Sequence, residues 1–531
     1  MKKTILFLLI FLPLYISAQE WDHLYDNTFG SIRMIQSAHH SYDSGFCIYH
    51  HNTSNYFRYS KIDIDGNILW TRIMRYSESN YFGRGWMTTD KYGNTYYSGF
   101  VDVNEAGKTA IMKINPCGEL IWCHTIDIPF NPWNYGMSIH VLPNNDILVH
   151  ARYAGFWSGN SPEEREQLIK FNENGDLLWI NHIMPNYEHP DKANLFLETC
   201  IPSADGGAFI AGTVYMQDSV SGPDLLWPKG VIVKTDDFGE EEYISIFDYP
   251  EENSCMVFEF ALETDSDILL AGYDYIAPSN ATPTPTICSI DKISGQLKNR
   301  SIQYLADDIP TGMSLMVREV EDGYMIVNTI QIPSVLHNML QIEILDESFS
   351  GVDSILFETR VIIYDNSTTA CEDNSIIVSG LEWEDPYTSN LCKAMAMKIN
   401  QDLSIDSVSN IQLNYDSLCP YTIESGDRVC DCFTAFYVGI ENDKVITLQD
   451  LEGIQAYPNP ASEFITFETK TISRNRIIRI YDLNGKFVSE ISFPQRSTEV
   501  LCNTSKLIAG TYIARLFIEE RQTGSTKFII Q

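Results

Sequence analysis

The chain has 531 residues, 44% of them apolar and 12% aromatic, and its 36 Lys and Arg against 71 Asp and Glu give a net charge of −35. The length exceeds one ordinary domain, and the apolar share supports packed cores and excludes a disordered acidic chain. Charge of this sign repels nucleic acid and anionic membrane surfaces, so no nucleic-acid partner is expected.

The first element is an export signal. Met1, Lys2 and Lys3 form a short basic start, Ile5 to Ile16 is apolar, and Ser17, Ala18 and Gln19 supply small residues for cleavage. This pattern reads as a secretory signal peptide over residues 1–18, cut near Ala18 and Gln19. The apolar run is shorter than a spanning helix requires, and no Cys follows it for lipid attachment. No later segment is long and apolar enough to span a bilayer, so the mature chain is expected to carry no transmembrane segment.

Two short motifs then alternate across residues 31–408. One reads KIDIDGNILW (Lys61 to Trp70), KINPCGELIW (Lys113 to Trp122) and KFNENGDLLW (Lys170 to Trp179). It continues in weaker form as KTDDFGEEEY from Lys234, DKISGQLKNR from Asp291, EILDESFSGV from Glu343 and KINQDLSIDS from Lys398. The other is an acidic or Asn/Gly turn leading into an apolar strand, as in YDSGFCIYH (Tyr42 to His50), PNNDILVHA (Pro143 to Ala151) and ADGGAFIAG (Ala204 to Gly212). Each motif occurs seven times. Asp-Gly, Asn-Gly and Gly-Gly steps supply the positive φ of tight hairpins, and the flanking runs are strand-like, so each period holds four antiparallel strands. Such a sheet cannot bury both faces alone, and neighbours must stack. The expectation is an all-β fold with a seven-bladed β-propeller over residues 19–410, six or eight blades being the alternatives. The recurring Trp is expected as a flat ring wedged between neighbouring sheets, a packing role. Ring closure is left between Trp21 to Met34 and Ile411 to Val438. These repeats resemble those of secreted bacterial β-propeller families, a fold that serves binding platforms, structural modules and enzymes alike.

Candidate chemistry in the body has a structural reading each time. The Lys-to-Trp motif resembles the tryptophan-docking repeat of quinoprotein dehydrogenases, but the vicinal Cys pair of that family is missing. SADGGAF (Ser203 to Phe209) resembles the Asp box of sialidases, itself a structural turn remote from catalysis. Asp63, Asp65, Gly66 and Asn67 invite a calcium reading. An EF-hand loop aligned on Gly66 would begin with Lys61 and end with Arg72, so turn chemistry explains them better. His39-His40 and His50-His51 point to opposite faces of a strand and are expected at surfaces or turns. Among the 12 cysteines, Cys117 and Cys123 bracket one hairpin, while Cys419, Cys430 and Cys432 cluster after the repeats, where a staple is expected. The chain has no GxSxG, HExxH, GxxxxGK[ST] or GxGxxG pattern, so no catalytic, cofactor-binding or metal residue is assigned and no cofactor is expected.

Residues 411–453 read as a Cys-containing linker or ring-closing strand. After them the charge balance changes: from Leu451 onward ten basic residues face eight acidic ones. YPNPAS from Tyr457, EFITF, RIIRIYDLNGKFVSEI, LIAGTYIARLFIE and TKFIIQ predict a small immunoglobulin-like β-sandwich over residues 454–531. Its turns are expected at Asn484-Gly485 and at Thr523-Gly524-Ser525. In order and spacing, YPNPAS, IYDLNGK, LIAGTY and the final KFII resemble the type A C-terminal sorting domain of the type IX secretion system. Tyr457, Pro458, Asn459, Pro460, Asn484, Gly485, Lys486, Gly510 and Tyr512 carry that resemblance. It implies periplasmic passage, recognition by the outer-membrane translocon and removal by a cell-surface sortase, leaving a product anchored at the surface or released. Most motif residues then shape the fold, and Lys486 and the terminal strand are the candidates for contact. The body is expected to bind an extracellular glycan or protein as an adhesion or scaffold module. The alternative is a secreted enzyme, a glycan hydrolase or quinoprotein-like dehydrogenase, working in the central channel.

Overall fold

A computed structural model describes residues 22–25, 34–51, 56–75, 79–103, 106–127, 133–154, 165–183, 194–217, 226–247, 254–276, 284–302, 312–320, 323–332, 337–357, 361–371, 375–383, 392–406, 413–429, 433–437, 454–462, 464–469, 476–482, 487–494, 497, 499–504, 507–518 and 521–531. The signal peptide and its cleavage site at Ala18 and Gln19 lie outside them. The chain divides into two compact units, a large one within residues 1–439 and a smaller one that includes residues 440–531.

The large unit is built of repeated antiparallel sheets. A short first strand, β1 (Asp22–Tyr25), precedes the first sheet, which holds β2 to β5 (Met34–His40, Phe46–His51, Tyr56–Ile62, Ile68–Arg75). The second holds β6 to β9 (Ser79–Thr89, Thr95–Val103, Ala106–Ile114, Leu120–Asp127), and the third β10 to β13 (Trp133–Val141, Ile147–Ala154, Arg165–Phe171, Leu177–Ile183). The fourth holds β14 to β17 (Asn194–Pro202, Ala208–Gln217, Leu226–Thr235, Glu241–Phe247), and the fifth β18 to β21 (Ser254–Glu263, Asp267–Ile276, Thr284–Asp291, Leu297–Ile302). The sixth holds β22 to β25 (Gly312–Val320, Gly323–Ile332, His337–Leu345, Gly351–Phe357), and the seventh β26 to β28 (Val361–Ala370, Ile376–Trp383, Cys392–Ile399) with β1 as its outer strand. The first strand of each sheet lies beside the first strand of the next, β2 by β6 and onward to β22 by β26, and β26 returns to β2. Four-stranded sheets in a closed ring are the architecture of a β-propeller.

Ring closure falls to the N-terminal candidate. Asp22 to Tyr25 pair antiparallel with Met397 to Ala394, so β1 takes the outer place of the seventh sheet. The other candidate lies elsewhere: β29 (Gly426–Val429) and β30 (Phe433–Tyr437) add parallel to the outer edges of β5 and β9. Within residues 413–425 ahead of them, Asp416 accepts from the Trp70 indole at 3.0 Å and pairs with buried Lys61 at 3.2 Å. The Ser425 hydroxyl accepts from the Thr71 amide at 3.0 Å. Cys419 is disulfide-bonded to Cys117, and Cys123 is disulfide-bonded too. The staple expected within the late Cys cluster therefore ties that cluster to the earlier hairpin, making a strap across the first two sheets.

The repeat motifs explain why the sheets form and why they stack. At the turn between the third and fourth strands, one side-chain oxygen caps two backbone amides. Asp63 Oδ1 accepts from Asp65 and Asn67 at 3.0 and 2.7 Å, and Asn115 Oδ1 from Cys117 and Glu119 at 3.0 and 2.9 Å. Asp236 and Asp346 repeat the pattern, the ordinary capping role of Asx residues in turns. The turn glycine then receives the ring of the preceding sheet. Gly118, at φ +72°, leaves no room for a Cβ above Trp70, and Gly175, at φ +86°, stands in the same relation to Trp122. Gly295 faces Tyr243, and the Tyr25 hydroxyl of the closing strand donates to the Gly66 carbonyl at 2.9 Å. Trp70, Trp122 and Trp179 are buried, and at about 25 cal/mol per Å² of apolar surface such rings supply much of the cohesion between sheets.

The C-terminal unit is a two-sheet sandwich. Strands β31 (Gln455–Tyr457), β32 (Phe464–Glu468) and β35 (Glu499–Asn503) form one sheet; β34 (Phe487–Ser492), β33 (Arg476–Asp482), β36 (Gly510–Ile518) and β37 (Arg521–Ile530) form the other. Alternate residues face a single core: Ile465 and Phe467 from the first sheet, Ile478, Ile480, Ala514, Leu516 and Phe528 from the second. The turn expected at Thr523 to Ser525 is instead part of β37, because Arg521 pairs with Ile518 and Gly524 with Leu516. A register shift between Leu516 and Phe517 absorbs the extra residue, a bulge marked by the glycine.

Candidate functional site

Every innermost strand carries a register shift, at the same step in the first, third, fourth and fifth sheets (between Ile35 and Ser37, Gly136 and Ser138, Leu197 and Thr199, Phe258 and Phe260) and displaced from that step in the second, sixth and seventh. A bulge takes backbone groups out of the ladder, and buried groups must find other partners. In the second sheet Gly85 N donates to Gln36 Oε1 at 3.4 Å and Met87 N to Ser37 Oγ at 3.3 Å.

The most polar example joins the third and fourth sheets. Glu166, fully buried on β12, accepts from the Leu197 amide at 3.1 Å, from Arg152 Nε at 2.7 Å and from His150 Nε2 at 3.0 Å. Arg152 also donates to the Leu197 carbonyl at 2.8 Å and reaches Glu198 at 3.3 Å. Both freed backbone groups of Leu197 are thus held by one ion pair. Burial alone would raise the pKa of the Glu166 carboxyl, but the Arg152 charge and the His150 bond outweigh it and hold it below its usual value. A His beside a carboxylate is a general-base arrangement in an open cleft. Here His150 and Glu166 are closed to solvent and Glu166 is already occupied by the Leu197 amide and Arg152, so the cluster fastens one sheet to the next.

Next to the bulge, the inner strands present a regular lining. Ala38, Met87, Ile139, Cys200, Ala261, Val317 and Thr368 are buried, one per sheet. The residues that follow them, His39, Thr88, His140, Ile201, Leu262 and Arg318, are half-buried, with Thr369 buried in the seventh sheet. On the innermost strands of a closed ring, that alternation places the second set along the channel. His140 Nε2 donates to the Cys200 carbonyl at 2.5 Å, and Arg318 Nη2 to the Thr368 carbonyl at 2.7 Å. Arg318 lies 4.9 Å over the Phe260 ring. Burial pushes the pKa of His39 down to about 3, with Arg318 and His140 adding to it, and that of His140 down to about 4.

Of the four histidines expected at surfaces or turns, His39 and His50 are found inside, His40 is half-buried beside a turn, and the side chain of His51 lies outside the described residues. His39 lines the channel, and His50 is buried with Nε2 at 2.9 Å from Ser60 Oγ. The Asp-box turn behaves as a turn: Asp205 accepts from Gly207 N at 3.0 Å and pairs with Lys234. Among the described residues no group of three or more His, Cys, Asp or Glu could hold a metal ion, and no helix is long and apolar enough to cross a membrane.

In the C-terminal unit two of the described motif residues, Asn459 and Tyr512, make bonds that hold the fold. Asn459, between two cis X-Pro bonds, donates to the Lys527 carbonyl at 3.0 Å and accepts from Ile529 N at 2.9 Å, clipping the opening turn to the last strand. Tyr457 is exposed and bonds Glu499, while Tyr512 is buried against Phe528 and donates to the Ile508 carbonyl at 2.7 Å. Gly510 begins β36. Asn484, Gly485 and Lys486 lie outside the described residues. Residues 455–531 match the family model of the secretion system C-terminal sorting domain. That sorting tail is the type IX signal, and it implies export to the cell surface or extracellular space.

No curated protein matches the chain. Among solved structures, a protein of unknown function from Dyadobacter fermentans is 11% identical, with 60% of this chain and 95% of that one covered and a TM-score of 0.41. The polysaccharide lyase Uly1 is 9% identical over 73% of this chain and 94% of that one, with a TM-score of 0.41. A subtype N10 neuraminidase-like protein from a bat influenza A virus is 10% identical over 63% and 96%, with a TM-score of 0.36.

Proposed function

We propose that the exported body is a binding or adhesion platform for an extracellular glycan or protein. One observation carries the reading. The turns between first and second strands and between third and fourth strands are short and capped, and antiparallel alternation puts them all at one end of the ring. The second strand of a sheet ends and the third begins at the other end, as does each link from one sheet to the next, and four of these connections, 155–164, 184–193, 218–225 and 303–311, are eight to ten residues long. Long connections gathered on one end of a rigid scaffold are where binding residues concentrate. The proposed chain of events is removal of residues 1–18, passage of the folded body, and recognition of the tail by the translocon and sortase, with Lys486 and the terminal strand making contact.

A glycan and host-protein binding screen on the chain from Gln19, run beside glycan-hydrolase and quinone-dehydrogenase assays, tests the proposal. Saturable binding lost on exchanging 155–164 or 184–193 for short Gly-Ser turns supports it. Turnover abolished by a single channel substitution would replace it with the enzyme reading.

A further inference from the structure

We propose that the channel of the large unit binds a carboxylate at the level of Arg318, His39 and His140. The site lies toward the short-turn end and is separate from the long connections invoked above, so either proposal can fail without the other.

Register fixes the grouping. His39 pairs with Cys47, His140 with Leu148 and Arg318 with Met325, the same step of the first hairpin in the first, third and sixth sheets. The three side chains therefore stand at one depth on different sides of the channel. The other residues at this depth, Thr88, Ile201, Leu262 and Thr369, bring no charge. Among the described residues Arg318 bonds only carbonyls, those of Thr368 and Val317. Seven other cations of the body, Lys61, Arg152, Lys234, Lys292, Lys298, Arg300 and Lys398, pair with a carboxylate, while half-buried Lys113 bonds a carbonyl as Arg318 does, that of Glu173. In a chain with 71 acidic residues, a channel guanidinium left without one is a position kept for an anion from outside. His39 supplies the second donor: its Nε2 is shielded from solvent and has no hydrogen-bond partner among the described residues, a costly state for a buried polar atom, so a turn of the ring toward a ligand in the channel gives up no bond.

The ligand chemistry follows from the donors. A guanidinium fork held by two carbonyl bonds, with a neutral imidazole N–H on the next sheet but one, suits a planar carboxylate with two acceptor oxygens. Such a group comes from a small organic acid or from an acidic sugar residue. The position of Thr88 and His140 at the same depth offers further hydrogen bonds to a sugar ring.

Titration calorimetry of the full mature chain with glucuronate, acetate and glucose tests the proposal. Glucuronate is expected to bind and glucose not. Acetate matching glucuronate identifies a simple acid as the source; glucuronate at least about tenfold tighter, about 1.4 kcal/mol, identifies an acidic sugar. Arg318→Met is expected to weaken binding by about tenfold or more, and Arg318→Lys by less. Should Arg318→Met fail to fold for want of its Thr368 bond, His39→Gln, at a position whose Nε2 has no hydrogen-bond partner among the described residues, is expected to weaken binding several-fold in a folded protein. Absence of carboxylate binding at millimolar concentration, or equal affinity in wild type, His39→Gln and Arg318→Lys, overturns it.

Discussion

At the scale of single residues, charge inside this protein is used as a fastener. Lys61 is buried between Asp43 and Asp416; burial works against its charge, and the nearby Cys47, Asp43 and Asp416 together reverse that and raise its pKa. Glu166 is held the opposite way, as an anion between Arg152 and His150. Glu166→Gln leaves Arg152 with only the more exposed Glu198 as counter-charge, and a loss of about 2 to 3 kcal/mol is expected in chemical denaturation, somewhat under the usual cost of breaking a buried pair. The buried histidines make stability depend on pH. His50, at about 3 in the folded chain and 6.5 when exposed, takes up a proton on unfolding anywhere between those values. The unfolded state then binds more protons, so stability falls as pH drops through that window, by about 1.4 kcal/mol per unit for one such group. Glu166 acts in the same direction below its usual carboxylate range. A thermal midpoint that declines from pH 6.5 to pH 4, and declines less in His50→Gln, is the expected outcome; a flat profile would contradict it.

At the scale of the element, the unit of stability is one sheet's ring under the next sheet's turn. Gly175 needs both its positive φ and its missing side chain, because a Cβ would meet His124 and Trp122 at 3.0 Å or less. Gly175→Ala is expected to cost about 1 to 3 kcal/mol in denaturant unfolding, whereas alanine at exposed Asn174 should cost little. The strap is a second such element. Cys117 and Cys419 are 302 positions apart in sequence, and a cross-link closing so long a loop restricts the unfolded chain strongly. Cys419→Ser is expected to lower stability by about 2 to 5 kcal/mol and to admit protease between 413 and 437 before the sheets are cut. Cleavage elsewhere first would show that the strap is held by Asp416 and the parallel strands instead.

At the scale of the whole molecule, the tail is an address and the ring is the cargo. The tail has its own core of Ile465, Phe467, Ile478, Ile480, Leu516 and Phe528, so it can be recognised as a folded object. Deleting residues 455–531 is expected to leave the body in the periplasm of a host with type IX secretion, read by fractionation and surface proteolysis. Surface delivery of the truncated chain would remove the sorting role.

The sequence by itself determined the repeat, its four strands and its turns, because turn chemistry and strand alternation are local properties written in Asp63, Gly66, Asn115 and their equivalents. It determined the destination as well, since YPNPAS and LIAGTY are contiguous signals. Only the tertiary structure decided which strand closes the ring, because Asp22 to Tyr25 and Met397 to Ala394 are joined through contacts spanning nearly the whole body. The same holds for the strap from Cys117 to Cys419, for the burial of His50, and for the channel set. His39, His140 and Arg318 belong to three separate sheets, and each sits in an ordinary strand pattern with no local mark. What brings them to one depth is the shared register of hairpins around a closed ring, a property of the assembled sheets that no single stretch of chain contains.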